Sequence, residues 1–347
     1  MRQPVLVVGF AAAILMGSPY ADAQQITEDF ELNYSLHDLG SVPGVPSNYG
    51  GLTFKYDDPN TLLIGGAANS AGAAIYAIEV VRGCDNLIIG FAGEATLFAT
   101  APQIDGGLAY GPGNVLFYAT YSNNTIGQIK PGSTAPDKIT PLNPLGVTGT
   151  TGTLNFVPAG YPGEGRLKIA TYSGATWYDT TITPDGDGTF DIQPVEGSIF
   201  IGSGPEGIAF VEAGSPNFQN DSVLISEYGG GRVATYELDA NGDPIVKTRR
   251  VMVTGLSGAE GATVDPLTND FLFSTFGGGS RILVVRGFEL PHDVGDLNAD
   301  QTVDVSDLLI LLSAWGSCSQ PGTCPPDFNA DCQVDVSDLL ILLGNWG

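Results

Sequence analysis

Histidine is almost missing from this 347-residue chain, which holds only His37 and His292. Nucleophilic catalysis of the Ser–His–Asp type requires a histidine base beside the nucleophile, and many metal sites use the same side chain. One histidine lies near the first predicted strand, and the other lies in a short stretch before the C-terminal segment. The sequence therefore gives no support to a histidine-based triad, a zinc site or a haem site.

Basic residues are also scarce, because 13 Lys and Arg stand against 38 Asp and Glu, which gives a net charge of −25. A surface of this charge repels the phosphates of nucleic acids and the anionic surface of membranes. We expect neither as a partner. The imbalance is strongest from Asp293 onward, where nine Asp occur without any Lys or Arg.

The chain has one prominent apolar run at its N-terminus, Val5–Met16, which follows the basic Arg2. The run is too short to cross a bilayer as a helix. Together with the small-x-small pattern Ala21–Ala23, it is typical of a secretion signal. We predict a signal peptide over residues 1–23, a secreted or extracellular protein associated with the cell surface, and no transmembrane anchor.

The sequence has four cysteines, Cys84, Cys318, Cys324 and Cys332. Disulfides form readily outside the cytoplasm. The last three cysteines lie close together, which predicts at least one disulfide bond among them. Four cysteines allow three full pairings, and the sequence does not choose between them.

Residues 24–290 are rich in Gly, Thr, Tyr, Phe and Val, in short runs bounded by turn residues, as in all-β proteins. A glycine followed by a short β-type run recurs about every 45–55 residues, a spacing typical of propeller blades. The repeats begin at Gly51, Gly107, Gly152, Gly207 and Gly261. We predict an all-β propeller of five blades, or six if a long interval hides one. The last repeat is one strand short, and residues 26–36 are predicted to supply that strand.

Two acidic residues, Glu206 and Glu260, stand at matching positions in this repeat, and Glu227 is nearby. The surrounding segments are similar to those of bacterial secreted propeller-like proteins. One role for such acids is to hold a metal in the propeller channel, as gluconolactonase-type propellers do with Glu, Asn and Asp. An acid at the start of a blade can instead order a turn, and the sequence alone favours this local role.

A twelve-residue unit occurs twice near the C-terminus, as Asp296–Asp307 and Asp327–Asp338, and a Leu-rich helix with Trp-Gly follows each copy. Calcium binds six to eight oxygens, which such a loop supplies from positions 1, 3, 5, 7, 9 and 12. We predict two calcium sites in a small all-α module of duplicated loop–helix units over 296–347, joined by a linker at 291–295. The predicted ligands are Asp296, Asn298, Asp300, Thr302, Asp304 and Asp307, and Asp327, Asn329, Asp331, Gln333, Asp335 and Asp338.

These loops have Asp rather than Glu at position 12 and no preceding helix pattern, and in this they resemble EF-hand-type loops of dockerin modules. The Trp-Gly pairs and linker cysteines are similar to one variety of that family. The resemblance implies calcium-dependent folding and docking onto a cohesin-type receptor or an envelope protein. Dockerin recognition residues fall at loop positions 10 and 11, which are here Val305, Ser306, Val336 and Ser337.

Position 6 of such a loop usually needs glycine, because the backbone φ angle is positive there. Gln301 is tolerable at this position in the first loop. Cys332 is an unusual residue for it in the second loop. The sequence therefore supports the first calcium site better than the second.

We expect a secreted calcium-binding protein whose propeller binds a ligand, with a glycan as the candidate, and whose tail attaches it to a cell surface or multiprotein complex. The alternative is an extracellular propeller hydrolase or lyase acting on polysaccharide, and a third reading is a structural protein of the envelope. No catalytic residue is assigned. An enzyme requires clustered carboxylates at one mouth of the channel, whereas a binding module presents a loop patch without that cluster.

Overall fold

The computed structural model describes residues 24–83, 86–288, 295–298, 300, 302–318, 324–328 and 332–347. Their main feature is a ring of five antiparallel sheets, each built on four strands. The prediction of a five-bladed propeller is confirmed by these sheets. The predicted signal peptide, Cys84 and most of the predicted linker lie outside the described residues.

The strands are numbered along the chain. Two precede the ring, β1 (Gln25–Ile26) and β2 (Ser35–Gly40). Blade one holds β3 (Leu52–Lys55), β4 (Asp58–Gly66), β5 (Ala74–Arg82) and β6 (Ile88–Thr100). Blade two holds β7 (Ile104–Tyr110), β8 (Leu116–Thr120), β9 (Thr125–Ile129) and β10 (Lys138–Pro141).

The later blades follow the same order from the inner strand outward. Blade three holds β11 (Thr151–Phe156), β12 (Leu167–Thr171), β13 (Thr176–Thr180), an inserted hairpin of β14 (Ile182–Pro184) and β15 (Phe190–Ile192), and β16 (Gly197–Phe200). Blade four holds β17 (Pro205–Val211), β18 (Ser222–Glu227), β19 (Arg232–Glu237) and β20 (Arg250–Thr254). Blade five holds β21 (Ala259–Val264), β22 (Phe271–Thr275) and β23 (Ile282–Arg286).

The N-terminal segment closes the ring. Strand β2 pairs antiparallel with β23 and becomes the fourth strand of blade five. Strand β1 pairs with β20 and adds a fifth strand to blade four. The predicted closure is confirmed, but the closing strand is Ser35–Gly40 rather than residues 26–36, because Ile26 pairs with Val253 instead.

Apolar clusters lie between neighbouring blades, since each sheet buries both of its faces. The cluster between blades four and five also takes in Phe30 and Tyr34 from the segment that joins β1 to β2. The Tyr34 ring lies 4.6 Å from the ring of Phe288 by centroid distance. The closing segment is therefore held by side-chain packing as well as by strand pairing.

The recurring glycines mark places where the inner strands meet. A Cβ added to Gly152 would lie 2.2 Å from the backbone oxygen of Pro205, and one added to Gly207 would lie 2.4 Å from that of Glu260. Neither distance leaves room for a side chain. The glycine period in the sequence therefore reports the close approach of neighbouring inner strands.

The tail contains both predicted Leu-rich helices, α1 (Val305–Ser313) and α2 (Val336–Gly344). Between them, β24 (Gly316–Ser317) pairs with β25 (Gln333–Val334). The small core of the tail contains Val303, Leu311, Val334 and Leu342. A disulfide bond joins Cys318 to Cys324, as the clustering of cysteines predicted.

Neither α1 nor α2, the two α-helices in the described part of the chain, is a long enough apolar helix to span a membrane.

Candidate metal centres

The first tail loop folds around a set of carboxylate and amide oxygens. The amide of Asp300 donates to Asp296 Oδ1 at 3.1 Å and to Asn298 Oδ1 at 2.9 Å. The amide of Thr302 donates to Asp300 Oδ1 at 3.0 Å. Positions 1, 3, 5 and 7 of the predicted calcium loop therefore share one compact turn.

Asp307, at position 12, ties this turn to helix α1. Its Oδ1 accepts hydrogen bonds from the amides of Leu297 and Asn298, and its Oδ2 accepts one from Asp304. The side chain of Asp304 caps the same helix by accepting from the amide of Ser306. The amide of Asp304 and the two amides at the loop start hold the pKa of the buried Asp307 carboxyl below its usual range.

The second loop repeats much of this arrangement. Asp338 accepts hydrogen bonds from the amides of Phe328 and Asp335, and Asp327 accepts one from the amide of Cys332. Cys332 has a φ of +70°, so position 6 has the positive φ that the loop requires despite its unusual residue. Two predicted ligands, Asn329 and Asp331, lie outside the described residues. Gln333 lies in β25, where Ser317 Oγ contacts its side chain.

Each loop pairs with the Trp-Gly end of the other loop–helix unit. Gly316, which follows α1, pairs with Val334 of the second loop. The amide of Gly347, which follows α2, donates to the carbonyl of Val303 in the first loop at 3.1 Å. The Trp-Gly repeat therefore joins the two units into one module.

The predicted docking residues lie at the surface. Val305 is 57% exposed and Val336 is 58% exposed, and Ser306 and Ser337 are also exposed. Larger apolar side chains of the two helices and of the residues just after them are exposed in matching pairs, namely Leu309 and Leu340, Leu312 and Leu343, and Trp315 and Trp346. The two helices thus present the same apolar residues twice.

A second group of acids lies inside the propeller. Carboxylate oxygens of Asp105, Glu206 and Glu260 lie within 4.8 Å of one another, and all three residues are buried. They come from the starts of β7, β17 and β21, the inner strands of three blades. Glu206 and Glu260 are brought together as their matching repeat positions suggested.

The repeat pattern does not identify Asp105. Glu227 lies opposite Pro205 in β18, beside this group, but its carboxylate is not one of the three that come together. Asp105 stands one residue earlier than the two glutamates relative to its repeat glycine, and an irregular register between Ile104 and Leu108 accompanies that offset. Glu227 is instead held by Arg232, Arg249 and the hydroxyl of Tyr236. A search for any acid within two residues of the repeat glycine would have found Asp105.

Ionisation of Asp105, Glu206 and Glu260 is unfavourable in their buried surroundings. Burial raises the pKa of Asp105 to about 7, against hydrogen bonds that lower it. Burial also raises the pKa of Glu206 and of Glu260 well above the usual range, and the neighbouring acids raise both further. Ionisation of all three carboxyls is favourable only when a positive charge lies among their oxygens.

The chain matches no protein-family model and no curated protein. Its fold is similar to that of several solved propellers at low identity. The PQQ-bound aldose sugar dehydrogenase of Streptomyces coelicolor is 17% identical over 72% of this chain and 83% of its own, with a TM-score of 0.41. The PQQ domain of pyranose dehydrogenase from Coprinopsis cinerea is 8% identical over 76% of this chain and 97% of its own, at 0.44. The glutaminyl cyclase of Myxococcus xanthus is 14% identical over 72% of this chain and 95% of its own, at 0.42. At these values the likeness says nothing about activity.

Proposed function

We propose that the chain is an exported calcium-binding protein whose dockerin-like tail folds around two calcium ions and tethers the propeller. The observation that carries this proposal is the hydrogen-bond pattern of the duplicated loops. Position 12 of each loop, Asp307 or Asp338, is fully buried and bonds back to the start of its loop. No Lys or Arg occurs from Asp293 onward, so the tail itself offers these loops no basic side chain.

The donor set fits calcium. The loops offer carboxylate, amide and hydroxyl oxygens, which are the ligands of a hard cation. Amides already fix the orientation of several of these side chains, as in Asp296, Asn298 and Asp300. Bound calcium would supply the charge that lets the acids lie together, and the loops would order the first turns of α1 and α2.

The tether requires a partner, and the repeated apolar face of the tail supports one. Val305, Leu309 and Leu312 are exposed on α1, and their counterparts are exposed on α2. Patches of exposed apolar side chains are typical of protein–protein interaction sites. In keeping with the dockerin resemblance, the proposed partner is a cohesin-type receptor or an envelope protein, at a cell surface or in a multiprotein complex.

The propeller would then present its loops to a ligand, with a glycan as the candidate. One observation favours a second function, an extracellular propeller hydrolase or lyase acting on polysaccharide. Clustered carboxylates inside the ring are what such an enzyme requires, and Asp105, Glu206 and Glu260 form such a cluster. The tether does not depend on which of the two functions the propeller performs.

Calcium titration calorimetry on the chelator-treated full chain tests the tail. Asp300→Ala removes a ligand from the first loop, and we expect one tail site to weaken at least about a hundredfold, since even outer-shell partners of metal sites contribute about 10–100-fold. Asp239→Ala is the matched control, because Asp239 orders a hairpin turn by accepting from the amides of Asn241 and Asp243. The proposal is wrong if both variants bind calcium as the unchanged chain does.

A further inference from the structure

The acid cluster of the propeller lies where three blades meet, and its oxygens lack partners. Both carboxylate oxygens of Glu260, Oε2 of Glu206 and Oδ2 of Asp105 are buried without a hydrogen-bond donor among the described residues. Glu260 is 1% exposed. Buried polar atoms in folded proteins almost always have partners, so a group of unpartnered acceptors pointing at one another calls for a specific explanation.

A neutral oxygen lies beside these acids. Asn69, in the loop after β4 of blade one, hydrogen-bonds the carboxyl of Asp105. Its own Oδ1 is buried and also lacks a donor among the described residues. Four blades of the ring thus contribute unpartnered oxygens to one place, and all of these oxygens belong to the hard-donor class.

Glycines on the inner strands keep the space around these unpartnered oxygens free of other side chains. A Cβ added to Gly152 would lie 2.7 Å from Oε2 of Glu206, and one added to Gly106 would lie 1.8 Å from the backbone oxygen of Glu206. The inner strands therefore approach closely around the carboxylates. Such packing holds the acids together in spite of their mutual repulsion.

Aromatic rings surround the same end of the ring. Tyr121, Tyr172, Tyr228 and Phe276 each follow the second strand of blades two to five, and we call them the aromatic collar. Successive centroids lie 6.1, 5.7 and 6.1 Å apart. The strand pairings Ile104 with Thr120, Pro205 with Glu227 and Ala259 with Thr275 place the collar at the same end of the strands as the acids. Blade one has the small Ala67 at this position, so the collar is open on that side.

We propose that Asp105, Glu206 and Glu260, with Asn69 as a neutral donor, bind one hard divalent cation such as Ca²⁺, Mg²⁺ or Mn²⁺ inside the propeller. A single ion would satisfy the unpartnered oxygens and link blades that otherwise repel one another there. Calcium takes six to eight oxygens, and four protein side chains leave coordination positions for oxygens of a ligand that enters past the collar. This site is separate from the tail loops and does not depend on them.

The test is equilibrium dialysis of the full chain carrying Asp296→Ala and Asp327→Ala, which disable both tail loops. Mn²⁺ is the first probe, and Ca²⁺ and Mg²⁺ follow. We expect this chain to retain one equivalent of cation. Adding Glu206→Gln or Glu260→Gln, which keep the side-chain shape and remove the charge, is expected to weaken that binding at least about a hundredfold. Glu227→Gln is the control, because Glu227 is equally buried but is held by arginines.

Two results would overturn the proposal. One is that the tail-disabled chain retains none of the three cations, which would mean that the acids share protons instead. The other is that it retains a cation that neither Glu206→Gln nor Glu260→Gln releases. The first result is obtained on a chain with an intact cluster, so it stands even if a cluster variant fails to fold. Neither result bears on calcium binding by the tail.

Discussion

Buried carboxylates occur in three different surroundings in this protein. Arginines and a tyrosine hydroxyl surround Glu227, backbone amides surround Asp307, and other acids surround Glu260. The pKa of the first two is lowered and that of the third is raised, because only the first two groups are offered donors or positive charge. A buried glutamate therefore stabilises the fold in blade four, whereas the buried acids at the inner strands favour the binding of a cation.

The buried carboxylate of Glu227 is expected to make the folding stability depend on pH. Burial raises its pKa, but hydrogen bonds from Arg249, Tyr236 and Arg232 outweigh this and lower it overall. A carboxyl with a lowered pKa stabilises the fold above its unfolded pKa, near 4.3, and loses that contribution as the pH falls through the folded value. We expect Glu227→Gln to cost about 2–3 kcal/mol at neutral pH, less than a fully buried pair because both arginines are partly exposed.

Thermal unfolding of the unchanged chain and of Glu227→Gln across pH measures this effect. The difference between the two should be large at pH 7 and should shrink as the pH falls below the unfolded pKa, near 4.3, and then through the lower folded pKa. Glu196→Gln is the control, because Glu196 also pairs with an arginine, Arg166, but its side chain is 55% exposed. A difference that does not change with pH would contradict the role assigned to the Glu227 charge.

Some residues of the acid cluster can be identified from the sequence, and others cannot. Glu206 and Glu260 were identifiable because they share one position in the repeat. Asp105 was not, since its repeat is offset by one residue at an irregular point in β7. Of the arginines that hold Glu227, Arg232 lies opposite it in β19 and Arg249 lies just before β20, so only the folded sheet brings them together.

At the scale of elements, the N-terminal segment decides whether the ring is closed. Residues 27–34 run between β1 and β2 and carry Phe30 and Tyr34 into the cluster between blades four and five. The guanidinium of Arg250 lies 4.8 Å from the centroid of the Phe30 ring. The sequence could show that a strand was missing from the last repeat, but it could not show which residues would pair with β23.

Phe30→Ala tests the packing of this closing segment. Phe30 is fully buried, and truncating a buried aromatic typically costs about 3–5 kcal/mol. We expect the melting temperature of the full chain to fall by about 6–20 °C, given about 2–4 °C per kcal/mol for domains of this size. Leu32→Ala is the matched control, since Leu32 is 92% exposed and should leave the melting temperature unchanged. Equal effects of the two substitutions would contradict the proposed closure by packing.

In the tail, the two loop–helix units contact each other reciprocally. The Trp-Gly end of each helix reaches the loop of the other unit, through Gly316 with Val334 and Gly347 with Val303. The sequence showed the repeat and its helices because the hydrophobic pattern and the capping acids are local. The contacts between each Trp-Gly end and the loop of the other unit could not be predicted, since they depend on how the two units pack together.

At the scale of the whole molecule, the net charge of −25 is unevenly distributed. The propeller pairs some of its acids with buried or partly buried cations, such as Asp179 with Lys168 and Arg166. The tail has nine Asp and no basic residue from Asp293 onward. The two parts therefore differ, because all of the chain's Lys and Arg lie before Asp293 and only the tail lacks them entirely.

Hydrogen–deuterium exchange of the full chain, with calcium and with a chelator, tests whether the tail folds around calcium. We expect the amides of α1 and α2 to be protected in calcium and to exchange rapidly in chelator, because the loops that order both helices would lose their cations. The strands β8, β12, β18 and β22 should keep their protection in both conditions. Equal protection of α1 and α2 with and without calcium would contradict the account.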